Sequence, residues 1–182
     1  MTATPKTAAS GGKPFLGFHV FVDSHVGRKG LPANASFERW VHEVLDATRS
    51  MRRQVNIALF DEADARGLNR RDRGKDYATN ILSYRYEPLP GEKSGLLGDL
   101  AICPAVVMRE ASAQGKPLRD HYAHLTVHGV LHLLGHDHET RAEAERMEAL
   151  ERRILARLGI PDPYASEVRP SRRRLKPAAG NQ

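Results

Sequence analysis

His128, His132 and His138 stand in the arrangement H-x-x-x-H-x-x-G-x-x-H, with Gly135 between the second and third histidines. On an α-helix, residues four apart share a face. His128 and His132 can therefore direct two imidazoles at one point. Gly135 can leave the helix in the left-handed conformation that a Cβ atom makes costly. The chain turns there, and His138 can return as a third ligand. Three neutral imidazoles leave one position of a tetrahedral zinc ion open, which separates catalytic zinc from closed structural sites. We expect one Zn2+ ion, with another divalent transition metal such as Ni2+ also compatible. A single histidine on an apolar helix is ordinarily a hydrogen-bonded core residue. Three at this spacing, with a glycine at the turn, point to metal ligation instead. His124, one turn before His128 on the same face, can be a ligand, a support for a ligand ring or a packed ring. Support fits best, because the fourth zinc position is better left to water. Asp137 is either such a support or a helix N-cap.

A second cluster could handle phosphate. Arg66, Arg70, Arg71, Arg73 and Lys75 fall within ten positions around Gly74. The planar fork of arginine suits phosphate geometry, and a loop between a helix and a strand can present it to a groove. Arg70, Arg71 and Lys75 are candidate contacts to the phosphates of a nucleic acid on this basis. The plainer reading is a charged, solubilising loop.

The elements that must position these groups follow from periodicity and turn residues. Phe15 to Val22, Val55 to Phe60, Asn80 to Tyr86 and Leu97 to Cys103 read as strands. Phe37, Trp40, Val41, Val44 and Leu45 recur at helical spacing, in a helix running to about Ser50. Asp61 to Leu68 reads as a short helix and Ala105 to Gln114 as another. The metal helix spans about Leu118 to Leu134. Thr140 to Glu143 forms a capping box that opens a last helix, with Met147, Leu150, Ile154, Leu155 and Leu158 as its apolar stripe. The expected fold is α+β, a single domain in which a sheet of about four strands packs with about five helices. The metal site falls on a helix in the C-terminal half.

Composition narrows the class. The 182 residues are 27% charged and 40% hydrophobic, ordinary values for one globular domain. Residues 1–13 hold Lys6 and Lys13 without an acid. Residues 166–182 hold Arg169, Arg172, Arg173, Arg174 and Lys176 against Glu167. These ends carry +2 and +4, the whole net charge of +6, so residues 14–165 are neutral overall. Residues 1–13 and 166–182 are expected to be disordered tails flanking a domain at 14–165, the basic one either meeting phosphates or simply solvated. The one cysteine, Cys103, rules out an internal disulfide framework, sits in an apolar run as a buried thiol, and fits a reducing cytoplasm. No run approaches the ~18 apolar residues of a membrane helix.

The histidine segment shares its spacing with the metzincin proteases but has Gly129 where they carry a glutamate base. It more closely resembles the YbeY-type single-strand-specific endoribonucleases that mature ribosomal RNA. Their pattern H-G-x-L-H-L-x-G-Y-D-H fits His128 to His138, with His136 at the tyrosine position. Leu68, Asn69, Arg73 to Asp76 and Thr79 to Ser83 are similar to that family's L-N-x-x-x-R-G-K-D-x-P-T-N-V-L-S-F. The departures are Asp72, Ala78, Ile81 and Tyr84. Leu97 to Cys103 resembles its L-G-D-I-x-I-C strand, with Asp99 expected to anchor the loop. The resemblance spans roughly Leu68 to Leu158. It implies a zinc-dependent endoribonuclease whose catalytic residues are Arg73, His128, His132 and His138, with Arg73 holding the scissile phosphate. The implied substrate is the 3′ end of small-subunit ribosomal RNA. The implied partners are ribosomal RNA and small-subunit proteins or assembly factors, with no membrane involved. Two other classes stay open. One is a zinc metalloprotease-like hydrolase taking its base from Asp137 or Glu139. The other is a non-catalytic, metal-stabilised ribosome assembly factor.

Overall fold

The apolar runs pair into one mixed sheet in the computed structural model, which describes residues 19–165. The chain runs β1 (His19–Ser24), α1 (Asn34–Ala47), β2 (Gln54–Leu59), α2 (Glu62–Arg73), β3 (Ile81–Arg85), β4 (Leu96–Ile102), α3 (Pro104–Ala113), α4 (Leu118–Leu133) and α5 (Arg141–Arg157). The strand order is β1-β2-β4-β3, with β1, β2 and β4 parallel and β3 antiparallel to β4. Parallel neighbours need a crossover, and α1 supplies the one between β1 and β2. The fold is α+β, with four strands and five helices among the described residues.

Alternation along the strands decides which face is covered. Val55, Ile57 and Leu59 of β2 and Leu100 and Ile102 of β4 are buried, while Asn56, Ala58, Asp99 and Ala101 point to the other side. Phe37, Trp40, Val41, Val44 and Leu45 of α1 close over the apolar face, with Phe37 edge-on to Trp40 at 5.2 Å. Helix α4 lies at the centre, touching α1, α3, α5, β3 and β4. It is buried on most sides, so its sequence carries no clean amphipathic stripe. Two of its few partly exposed positions are His128 and His132.

The boundaries differ from the sequence expectations in instructive places. Helix α2 continues past Leu68 to Arg73 and ends at Gly74, which has a φ of 70°. Only Ala65 and Asn69 of α2 are buried, so it has no apolar stripe to read. Strand β4 stops at Ile102 because Cys103, expected inside it, is the N-cap of α3, followed by Pro104. The thiol is buried, as expected, and burial raises its pKa. The first half of the expected Phe15–Val22 strand and both expected tails lie outside the described residues. No helix among the described residues is long and apolar enough to cross a membrane.

Candidate metal centre

The three histidines converge. His128 and His132 leave the same face of α4, their Nε2 atoms 3.1 Å apart and their rings 4.6 Å apart. Helix α4 ends as its sequence requires. Gly135, at φ 88°, lets its own N–H reach the His132 carbonyl and the His136 N–H reach the Leu131 carbonyl. This paired closure is the Schellman arrangement. It turns the chain so that the His138 ring lies 4.9 Å from His132 and 5.6 Å from His128.

One ligand atom from each of the three rings falls within 4.8 Å of the others. Tetrahedral zinc sets its nitrogen ligands roughly 3.3 Å apart. The His128–His132 pair already meets that spacing, and His138, on an exposed turn, completes the group within 4.8 Å. The site also sits at the C-terminal end of α4, where the helix dipole favours a cation. Burial, and then the neighbouring His128 and His138, lower the pKa of His132 and keep its ring neutral, the form that ligates metal. The donor set therefore fits a borderline divalent metal.

A buried carboxylate organises this site, and the sequence reading missed it. Glu151 of α5 is fully buried, with Oε1 2.8 Å from His128 Nδ1 and Oε2 3.2 Å from His124 Nε2. The Tyr164 hydroxyl donates to the same Oε2. Burial alone would raise the pKa of Glu151, but the bonds from His124, His128 and Tyr164 outweigh it and hold the carboxyl at about 2. An ionised acceptor requires His128 to carry its proton on Nδ1. In the neutral ring, the form that ligates metal, this leaves the lone pair on Nε2, the nitrogen that faces His132. His124 is thus linked to the cluster through Glu151 and stands outside it. Glu151→Gln removes the charge that fixes this tautomer. Metal affinity is expected to fall about 10- to 100-fold, measured by competition with a chelating dye. Unchanged affinity would remove Glu151 from the metal site.

The clustered cations separate by helical phase. Asn69 and Arg73, one turn apart on α2, line a groove of about 500 Å³ together with His128, His132 and His138. The Arg73 Nη2 donates to the Ser83 carbonyl at 3.4 Å, and Lys75 lines the same groove. Arg71 points about half a turn away. It pairs with Asp72 and lines a separate groove beside the open sheet face. Arg66 grips Asp76 through two bonds of 2.8 and 2.7 Å. Arg70 is exposed on α2 and does not line the histidine groove. The expectation of a loop presenting all five cations gives way to a helix with two faces. Arg85, at the end of β3, was not singled out in the sequence. It lines the groove and lies over Gly135, where an added Cβ would meet its Nη1 at 2.9 Å.

Three further placements matter. A Cβ at Gly129 would stand 2.7 Å from Ile81 Cδ1 and 2.9 Å from Leu100 Cδ2. Position 129 is thus where α4 closes on the sheet, with no room for a glutamate. Asp137 accepts from the His138 N–H at 2.8 Å and lines the groove with Glu139, whereas the cap of α5 is Thr140, in a complete capping box. Asp99, expected to anchor the basic segment, instead accepts from Asn56 at 2.7 Å on the open sheet face.

Comparison with known proteins agrees with this architecture. The family described as endoribonuclease YbeY matches residues 26–159. The chain is 59% identical over 144 residues to "Endoribonuclease YbeY" of Stenotrophomonas maltophilia, covering 77% of this chain and 89% of that protein. It is 56% identical over 140 residues to the protein of that name from Alkalilimnicola ehrlichii, covering 75% and 84%. The solution structure of TM1509 from Thermotoga maritima is similar in fold, with a TM-score of 0.50 at 22% identity, covering 85% of this chain and 99% of that one.

Proposed function

The chain belongs to the endoribonuclease YbeY family, and from that premise we propose that it is a zinc-dependent endoribonuclease cutting single-stranded RNA during ribosomal RNA maturation. The observation that carries this reading is one groove shared by Arg73 and the three imidazoles. Zinc held by His128, His132 and His138 would supply Lewis-acid polarisation of a phosphodiester and activation of the attacking nucleophile.

The chain's own side chains do the rest. One arm of the Arg73 fork reaches the Ser83 carbonyl at 3.4 Å, which leaves its other N–H donors for non-bridging phosphate oxygens. Negative charge grows on those oxygens in the transition state. A guanidinium on the groove wall then binds that state more tightly than the ground state. Lys75 and Arg85 add positive potential along the wall. Glu151 keeps the His128 proton on Nδ1 and His128 in register.

This cationic wall favours a polyanion over a peptide, although Asp137 and Glu139 do line the groove. With position 129 packed against the sheet, a protease would lack its base at the usual place. By family resemblance, the substrate is the 3′ region of small-subunit ribosomal RNA in the cytoplasm. Small-subunit proteins or assembly factors would be the partners. The test is cleavage of that region as a single strand against the same sequence annealed to its complement. Cutting of the single strand alone is expected, and equal cutting of both forms would contradict single-strand specificity.

A further inference from the structure

Resting on the endoribonuclease reading, we infer that the groove contains a nucleobase subsite built on Tyr77, which stacks on an unpaired base beside the scissile phosphate. Five large hydrophobic side chains are exposed among the described residues: Phe21, Met51, Tyr77, Leu89 and Met108. Of these, Tyr77 alone lines the histidine groove, and it is 55% exposed. Single exposed apolar residues are normal on a protein surface, so its setting carries the inference.

That setting is tied down by hydrogen bonds. Asn69, buried on α2, donates to the Tyr77 carbonyl at 2.8 Å. The preceding residue, Asp76, is clamped by Arg66. Three residues on, the Asn80 side chain accepts from the Ile81 N–H at 2.6 Å as β3 begins. The Tyr77 backbone is therefore tied to α2 by Asn69, with bonded residues on either side, while the ring is open to the groove. An aromatic ring on a bonded backbone has only two side-chain torsions left to fix, so it stacks on a base at little entropic cost, and it does so whatever the base, since every base has a π-face.

Arg73 and Lys75 lie four and two positions before Tyr77 and line the same groove. Phosphate groups and a base face can thus be met by one short stretch of chain. Bases in a duplex stack on their own neighbours and are not free to do this. Tyr77 would therefore contribute to preference for single strands.

The experiment measures binding and cleavage of single-stranded small-subunit 3′ RNA by wild type, Tyr77→Ala and Tyr77→Phe. A matched set of RNAs carries one abasic ribose at each position flanking the cut. Tyr77→Ala is expected to weaken binding and raise KM roughly 10-fold with little change in kcat, and Tyr77→Phe to match wild type. An abasic ribose at one flanking position should weaken wild-type binding and abolish the difference between wild type and Tyr77→Ala. Equal binding by wild type and Tyr77→Ala on intact RNA, with wild-type cleavage normal, would overturn the subsite alone. An equal deficit on every abasic RNA would also overturn it, since the ring would then act elsewhere. A wild type that neither binds nor cuts single strands would overturn the endoribonuclease reading as well.

Discussion

His132→Ala is expected to reduce bound metal from about one ion per chain to background and to abolish RNA cleavage. The ring is half-buried at the centre of the cluster, with its Nε2 3.1 Å from that of His128 and its ring 4.9 Å from that of His138. Removing it leaves two imidazoles, one of them on an exposed turn, and no third nitrogen donor to replace it within the cluster. His124 is outside the converging group, and its Nε2 faces Glu151 and Tyr164 instead. Elemental analysis after extensive dialysis gives the stoichiometry, and circular dichroism reports the fold. The fold should persist, since α5 is held by Met147, Ile154 and Leu155 in the core rather than by the metal. Full metal occupancy in the variant would refute the ligand assignment. Unfolding on metal loss would favour the assembly-factor reading, in which the metal is structural.

Arg73→Ala should lose cleavage while keeping the metal. Its side chain is exposed and makes one long bond to a backbone carbonyl, so stability should change by less than about 0.5 kcal/mol. Metal content should match wild type. Cleavage should fall about 100- to 1,000-fold in kcat, the usual effect of removing a donor aimed at charge that grows in the transition state. Arg73→Lys should recover only part of the loss, because a point charge does not reproduce a two-pronged contact. Single-turnover kinetics separate these effects from binding. An unchanged kcat in Arg73→Ala would take Arg73 out of the chemistry.

Local patterns were legible in the sequence, and tertiary contacts were not. The four-residue step from His128 to His132 and the turn at Gly135 are short-range features, and the structure brings the three rings together as the spacing suggested. The capping box at Thr140 was readable for the same reason. Glu151 was harder. It sits four residues after Met147 and three before Ile154, inside the apolar stripe of α5, and a charge in such a stripe signals a buried partner. Its partner is 23 residues away on another helix, which periodicity along one helix cannot supply.

The basic segment shows a second limit. Without an apolar stripe, α2 could not be followed beyond Leu68, so Arg71 and Arg73 were grouped by proximity in sequence. Once the helix runs to Arg73, a two-residue step turns their side chains about 200° apart. They then serve different faces. Asp99 was displaced by the same kind of rule, the two-residue alternation of a strand, which sets it on the open face of the sheet.

The most direct measurement is cleavage of a single-stranded RNA containing the small-subunit 3′ region by metal-stripped protein, zinc-restored protein and Arg73→Ala. Cutting by the zinc-restored protein alone is the predicted result, since it requires both the imidazole cluster and the guanidinium across the groove. Equal cutting by the stripped protein and the variant, or no cutting by folded, zinc-loaded protein, would contradict a metal-dependent nuclease site built from these four side chains.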